Sequence, residues 1–302
     1  MRQADSPPSL SLCQTLALGL LQGPTELLPI SSSAHTALIS WLAGWSYTEL
    51  DPELRKSLEV ALHAGAGAAL AIDMRGELSE AVRTLDRQRI AVIALSLAPP
   101  VLAGYALERP IERRLGGPRS IVGGLIAGGV AMALADLRPG RYRNAGREDD
   151  RGCQETVARG EGRARGTRRY DEADLRDGLA LGLAQAAALI PGVSRNGATL
   201  TVARAAGFAR VDAAALSWHA GLPVIFGAST LKAWRLRHGV SKRAWPVVAV
   251  GAGGAFVSTL ASARVLRRPR VSARPLLPYA VYRCTIAATF AVHLCRTQNV
   301  SR

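Results

Sequence analysis

Two clusters of reactive side chains stand inside otherwise apolar sequence: Gln22, Glu26, Ser31, Ser32 and His35, then Ser194, Arg195, Asn196 and Thr199. Glu26 is the least expected of them. A carboxylate in an apolar membrane segment costs about 3 kcal/mol on insertion scales and persists where function retains it. Gln22 lies one helical turn before Glu26, so the two share a helix face; the bland alternative is a single interhelical hydrogen bond from a protonated Glu26. Ser31, Ser32 and Ser33 follow Pro29, where a helix would restart, and serine is a favoured N-cap. His35 falls on the same helix face as Ser32, where an imidazole could exchange a proton near neutral pH. A hydroxyl beside a base is the usual arrangement of an activated nucleophile.

The second cluster supplies charge of the other sign. Pro191-Gly192-Val193-Ser194 reads as a turn into a helix that opens with Arg195, Asn196 and Gly197, so free amides and a guanidinium would point into one small volume, with Ser194 and Thr199 adding hydroxyls. Such a volume binds an anion, and phosphate suits the arginine fork. An intramembrane anion site facing a carboxylate, a hydroxyl and an imidazole implies phosphate-ester chemistry on a lipid. His63, alone on an apolar helix, reads first as a structural group. Arg283 either balances Glu26 or snorkels.

The elements that must position these groups form an internal repeat. Ala17-Leu-Gly-Leu-Leu-Gln22 precedes Pro29, and Ala180-Leu-Gly-Leu-Ala-Gln185 precedes Pro191. In each copy an apolar helix reaches a proline, breaks into a serine-bearing turn and resumes, which gives re-entrant hairpins over 12–28 with 35–44 and over 175–190 with 198–208. Broken helices are tolerated at membrane depth only where they line a protein-buried or watered cavity, so the two breaks should meet at one site.

Spans of about 20 residues, the length that crosses a hydrocarbon core, are expected at 58–74, 90–107, 121–137, 213–234, 247–266 and 276–294. Pro99-Pro100 should kink the second of these. Segment 75–89 reads as an amphipathic interfacial stretch, while 45–57 and 108–119 read as loops. The polar segment 138–174 reads as a flexible connector between a first half, 1–137, and a second, 175–302, of one integral membrane domain. An odd number of crossings separates the hairpins, so they enter from opposite faces: an all-α, polytopic, inverted-topology repeat with about six transmembrane helices. Arginines concentrate in 75–89, 138–174 and 264–274, which puts those loops in the cytoplasm and both termini outside.

Composition narrows the function classes. The 302 residues are 48% hydrophobic with only 5% aromatic, and Gly and Ala are abundant, as in helices packed closely in lipid. The net charge of +15 does not argue for nucleic acid, because the arginines lie between apolar spans rather than along one helix face. Cys13, Cys153, Cys284 and Cys295 lack paired or metal-type spacing and read as free thiols. No cleavable signal peptide is expected, since the first apolar stretch carries Glu26.

These segments resemble the undecaprenyl-diphosphatases of the bacitracin-resistance type. That family is marked by an (E/Q)xxxE motif running into Pro-x-Ser-Ser…His and by PGxSRSxxT; here they read Gln22–Glu26, Pro29–His35 and Pro191–Thr199. The segments from Leu58 to His63 and from Pro278 to Arg283 are also similar, so the likeness spans nearly the whole chain. The resemblance implies hydrolysis of undecaprenyl diphosphate to undecaprenyl phosphate and phosphate, in the bacterial cell membrane, at a site open to the outer face and with a divalent cation, Mg²⁺ or Ca²⁺. It leaves a homodimer open.

Carried over by position, Glu26 and Gln22 would serve the metal or the diphosphate, Ser32 would be nucleophile or its positioner, His35 the proton carrier and Arg195 the phosphate clamp. Ser31, Ser194, Asn196 and Thr199 would join Gln22 in binding substrate, and Glu26 would be the metal ligand. Gln22 replaces the glutamate common in relatives, and Asn196 stands where serine is usual. One carboxylate makes a poor cage for such a cation, which could instead ride on the diphosphate. The competing class is a polyprenyl-phosphate carrier, which needs the anion site and two accessible faces but not Ser32 and His35.

Overall fold

In the computed structural model, which describes residues 9–137, 168–236, 244–267 and 274–300, each interrupted helix starts on a side-chain cap and stops short of a proline. Helix α1, Leu12–Leu27, begins at a Ser11–Gln14 capping box and ends at Leu28, whose extended backbone is what a residue before proline must adopt. The chain resumes as α2, Ser32–Leu42. In the second half, α7, Leu175–Ala187, is capped by Asp174, and α8, Arg195–Ala205, is capped by the Ser194 hydroxyl on the Gly197 amide.

The longer helices complete the frame. They are α3, Pro52–Asp73; α5, Arg87–Leu115; α6, Pro118–Leu137; α9, Arg210–Leu236; α10, Trp245–Leu266; and α11, Leu277–Val300. A short amphipathic α4, Arg75–Arg83, buries none of its residues. Among the described residues there is no strand, only one isolated bridge between Arg168 and Phe208.

Among the described residues three helices are long and apolar enough to cross a membrane: Arg87–Leu107 within α5, α6 and α10. Their outward faces carry large apolar side chains such as Leu102, Leu134 and Val257, each at least 60% exposed, which suits acyl chains. The spans expected at 58–74, 213–234 and 276–294 form long helices as well.

Helix α1 runs along α10, which also lies against α3; α7 runs along α5; α6 pairs with α11, and α9 touches α3 and α8. Lipid-embedded helices gain little from burying apolar surface against each other, so close backbone approach has to hold them. Gly19 of α1 provides it, for a Cβ there would lie 2.8 Å from the Gly251 carbonyl of α10. Its counterpart in the repeat, Gly182 of α7, does the same against the Leu95 carbonyl of α5 at 2.6 Å.

Several boundaries differ from those read in the sequence. The helix after the first break starts at Ser32, because residues of the serine run themselves adopt helical backbone. The basic stretch expected as a loop at 108–119 is helical through Leu115, since α5 runs on through Pro99, Pro100 and Pro110. Most of the expected connector, 138–167, lies outside the described residues. Its end is held in place, with Arg168 bonded to both carboxylate oxygens of Asp177 at 2.9 and 2.5 Å.

Candidate active site

The two helix breaks are stapled together from behind by one side chain. Arg283 on α11, 1% exposed, donates to the carbonyls of Gly124 and Leu125 on α6, of Pro29 in the first break and of Gly192 in the second, at 3.0–3.3 Å. The choice left open in the sequence is thereby decided: Arg283 neither pairs with Glu26 nor snorkels. Gly128 leaves the room for its guanidinium, which any Cβ there would occupy.

Gly192 takes a left-handed backbone, φ +91°, and presses on the Ile121 carbonyl. A further tie comes from Asn196, whose amide donates to the Leu27 carbonyl at 2.7 Å. Its side-chain oxygen accepts from Ser217, which also meets Thr199 at 2.6 Å. Asn196 and Thr199 therefore turn toward the helix interface, and the Ser194 hydroxyl serves its own helix cap.

On the other side of the breaks the chemistry converges on Glu26, a buried carboxylate. Its Oε1 accepts from Arg195 Nη2 at 3.1 Å, across the two halves of the chain. Its Oε2 accepts from the Ser32 hydroxyl at 2.8 Å and from the Gln22 amide at 3.3 Å, and His63 Nε2 stands 3.8 Å away. The structure thus brings Gln22, Glu26, Ser32 and Arg195 into contact.

Arg195 keeps a second donor in reserve. Its Nη1 is buried without a hydrogen-bond partner, and the guanidinium fits only because Gly221 has no side chain. Trp218 lies beneath it, ring centroid 6.0 Å from Cζ, close enough for a cation–π contact. A partly buried guanidinium with an unspent N–H, beside a hydroxyl held by a carboxylate, is an arrangement suited to an oxyanion.

His35 sits one turn into α2 with different partners from those its spacing suggests. The Ser32 hydroxyl donates to Glu26 rather than to His35; His35 instead donates from Nδ1 to the Ser31 carbonyl at 2.7 Å, which leaves Nε2 to accept from Tyr282 at 2.9 Å. The two rings stack, 7° from parallel. Ser31, the N-cap, holds φ +77°, a backbone strained for a side-chain-bearing residue.

The sequence reading did not single out Tyr282 or Gly221, and it ranked His63 low. A signal for two of them was present in the repeat, for His63-Ala-Gly65 and His219-Ala-Gly221 are the same words in the two halves. Both histidines donate Nδ1 to the carbonyl one turn back at 2.8 Å. Only His63 has a carboxylate in front of it, because the residue matching Glu26 is Leu189.

The donor set does not fit a protein-built Mg²⁺ or Ca²⁺ cage. Such ions want several oxygen ligands with multiple carboxylates, whereas Glu26 stands alone with both oxygens engaged and an arginine against one of them. Among the described residues no group of three His, Cys, Asp or Glu converges on a metal position.

The profile of the family described as bacitracin resistance protein BacA matches residues 15–289. The chain is 35% identical to the undecaprenyl-diphosphatase of Geobacter sulfurreducens, over 94% of this chain and 99% of that one. It is 34% identical to the undecaprenyl-diphosphatase of Geobacter metallireducens, over 90% and 94% respectively. With the undecaprenyl-diphosphatase of Cupriavidus necator the identity is 30%, over 89% and 91%. With its two breaks, its Arg195–Glu26 contact and this likeness along nearly its whole length, the chain belongs to the bacitracin resistance protein BacA family.

Proposed function

We propose that this chain hydrolyses undecaprenyl diphosphate to undecaprenyl phosphate and inorganic phosphate, recycling the lipid carrier of cell-wall synthesis within the bacterial membrane. The observation that carries the reading is the Arg195–Glu26 ion pair, because it sets an anion clamp from one half of the chain against a carboxylate-held hydroxyl from the other. The relatives' names give the carrier alternative no support.

In the reaction, the terminal phosphate of the diphosphate takes Arg195, including the unspent Nη1, and competes with Glu26 for that guanidinium. The Ser32 oxygen attacks the terminal phosphorus while its proton passes to Glu26 Oε2 along the existing hydrogen bond. The bond to the bridging oxygen breaks and undecaprenyl phosphate leaves. Water then attacks the phosphorus and displaces the serine oxygen, which takes its proton back from Glu26, while the proton the water loses passes to the His35–Tyr282 pair. Gln22 and His63 hold the carboxylate in place, and His35 with its hydrogen-bonded Tyr282 is the proton carrier. A divalent cation enters this reading only as a counter-ion brought on the diphosphate.

The architecture proposed with it is an inverted repeat, about six transmembrane helices and two re-entrant hairpins, with the site open to the outer face. The reciprocal pairing of α1 with α10 and of α7 with α5 supports a two-fold relation between the halves. The arginine-rich ends of α4 and α10 support the orientation.

The test is release of phosphate from a long-chain polyprenyl diphosphate by the purified protein in detergent, with and without chelator. A phosphoserine trapped at Ser32 by acid quench supports the covalent route. Lipid that binds while no phosphate appears would overturn the hydrolase.

A further inference from the structure

A second polar cavity lies behind the helix breaks, away from Glu26. Its volume is about 50 Å³, and it is walled by the end of α1, the outer turns of α8 and α9, and the ends of α10 and α11. Glu26, Ser32, His35, His63 and Arg195 do not line it. Among the described residues four arginines do, Arg204, Arg210, Arg267 and Arg274, and no acidic residue does.

The charges are only partly spent. Arg210 pairs with Asp136 at 3.0 Å, and Arg267 pairs with Asp73 and Glu77 on the side facing α3 and α4. Asp136 is further committed to the backbone amides of Leu276 and Leu277. Arg204 donates to the Phe208 carbonyl, and among the described residues no carboxylate lies within ion-pair distance of it or of Arg274. The Nε groups of Arg204 and Arg210 are both buried without a hydrogen-bond partner. Arg204 and Arg274 without ion-pair partners, together with the unpartnered Nε groups of Arg204 and Arg210, leave a place for an oxyanion.

The rest of the wall says what carries that anion. Leu27, Leu200 and Leu266 line the cavity, and the buried Trp218 and partly buried Tyr279 add aromatic rings to its wall. Free phosphate has no use for apolar walls; an amphiphile needs both. We propose that this cavity is a second binding site, for the phosphate headgroup of a membrane lipid, with Arg204 and Arg274 as its principal contacts.

The site shares a wall with the active site, since Trp218 lines the cavity and lies under Arg195, and Asn196 both lines it and holds Leu27. Occupancy would therefore brace the breaks from behind.

The test uses the full chain in maltoside detergent with Arg195→Ala, which removes the clamp of the first site, and radiolabelled dodecyl phosphate as the probe. Saturable binding is expected, weakened at least about tenfold when Arg204→Gln and Arg274→Gln are added. Inorganic phosphate should compete only at far higher concentration. Binding that ignores the two substitutions, or that never saturates, overturns the site; inorganic phosphate competing at equal concentration overturns the lipid assignment. If the glutamine variant aggregates, Arg204→Lys with Arg274→Lys keeps the charge and removes the fork, and unchanged affinity in that protein also overturns the proposal.

Discussion

The first and second helix breaks are built from the same phrase and do opposite work. In the first, Ser31 adopts a positive φ without glycine's freedom, its hydroxyl caps no backbone amide, and the next hydroxyl, Ser32, is given to Glu26. In the second, Gly192 takes the positive φ without strain, and Ser194, the counterpart of Ser32, spends its hydroxyl on the helix cap. Local stability in the second break frees nothing for chemistry except Arg195. The first break gives up a cap and accepts strain, and thereby keeps a hydroxyl and a carboxylate available. A duplicated scaffold becomes one site by letting one copy stay structural.

Breaking that division of labour should have its largest effect at the ion pair. Arg195→Ala and Glu26→Gln should each lower kcat/KM by about a thousandfold, as loss of a preorganised charged contact does, measured as phosphate release; an effect below tenfold would sever the link between the halves. Ser32→Ala should follow, lowering kcat by about two to three orders of magnitude with KM little changed. The matched Ser194→Ala should cost about 1 kcal/mol of stability and leave turnover within a few-fold. Equal losses in the two serine variants would remove the contrast.

Smaller effects sharpen it further. Gly221→Ala, which forces a Cβ into Arg195, should lower kcat/KM by about tenfold without loss of unfolding temperature. Arg283→Met strands the carbonyls of both breaks and should destabilise by about 3 kcal/mol, read as unfolding temperature in detergent; a fall in activity without one would make Arg283 catalytic instead. Ser31→Gly, which relieves the backbone, should stabilise by about 1 kcal/mol, while Gly192→Ser at the matching bend should destabilise.

How much of this was legible beforehand follows from the range of the interactions. The breaks at Pro29 and Pro191, the turn through Ser194 into a new helix, and the repeated words were readable because proline and short polar side chains act on backbone within one turn, whereas the caps at Ser11 and Asp174 were not singled out. Helix spacing likewise placed Gln22 beside Glu26. The same spacing failed for His35, since two residues on one helix face need not meet when each has a better partner elsewhere: Glu26 for Ser32 and Tyr282 for His35.

The sequence by itself determined where the chain breaks, which residues stand at each break, and that charges of opposite sign do so in opposite halves. Only the tertiary structure decided that those charges touch, that Arg283 supports both breaks from α11, and that Gly221 clears space for Arg195. The reason is physical. Local backbone preferences are written in neighbouring residues, while a contact between positions 169 apart exists only after the helices have packed and excluded every other partner.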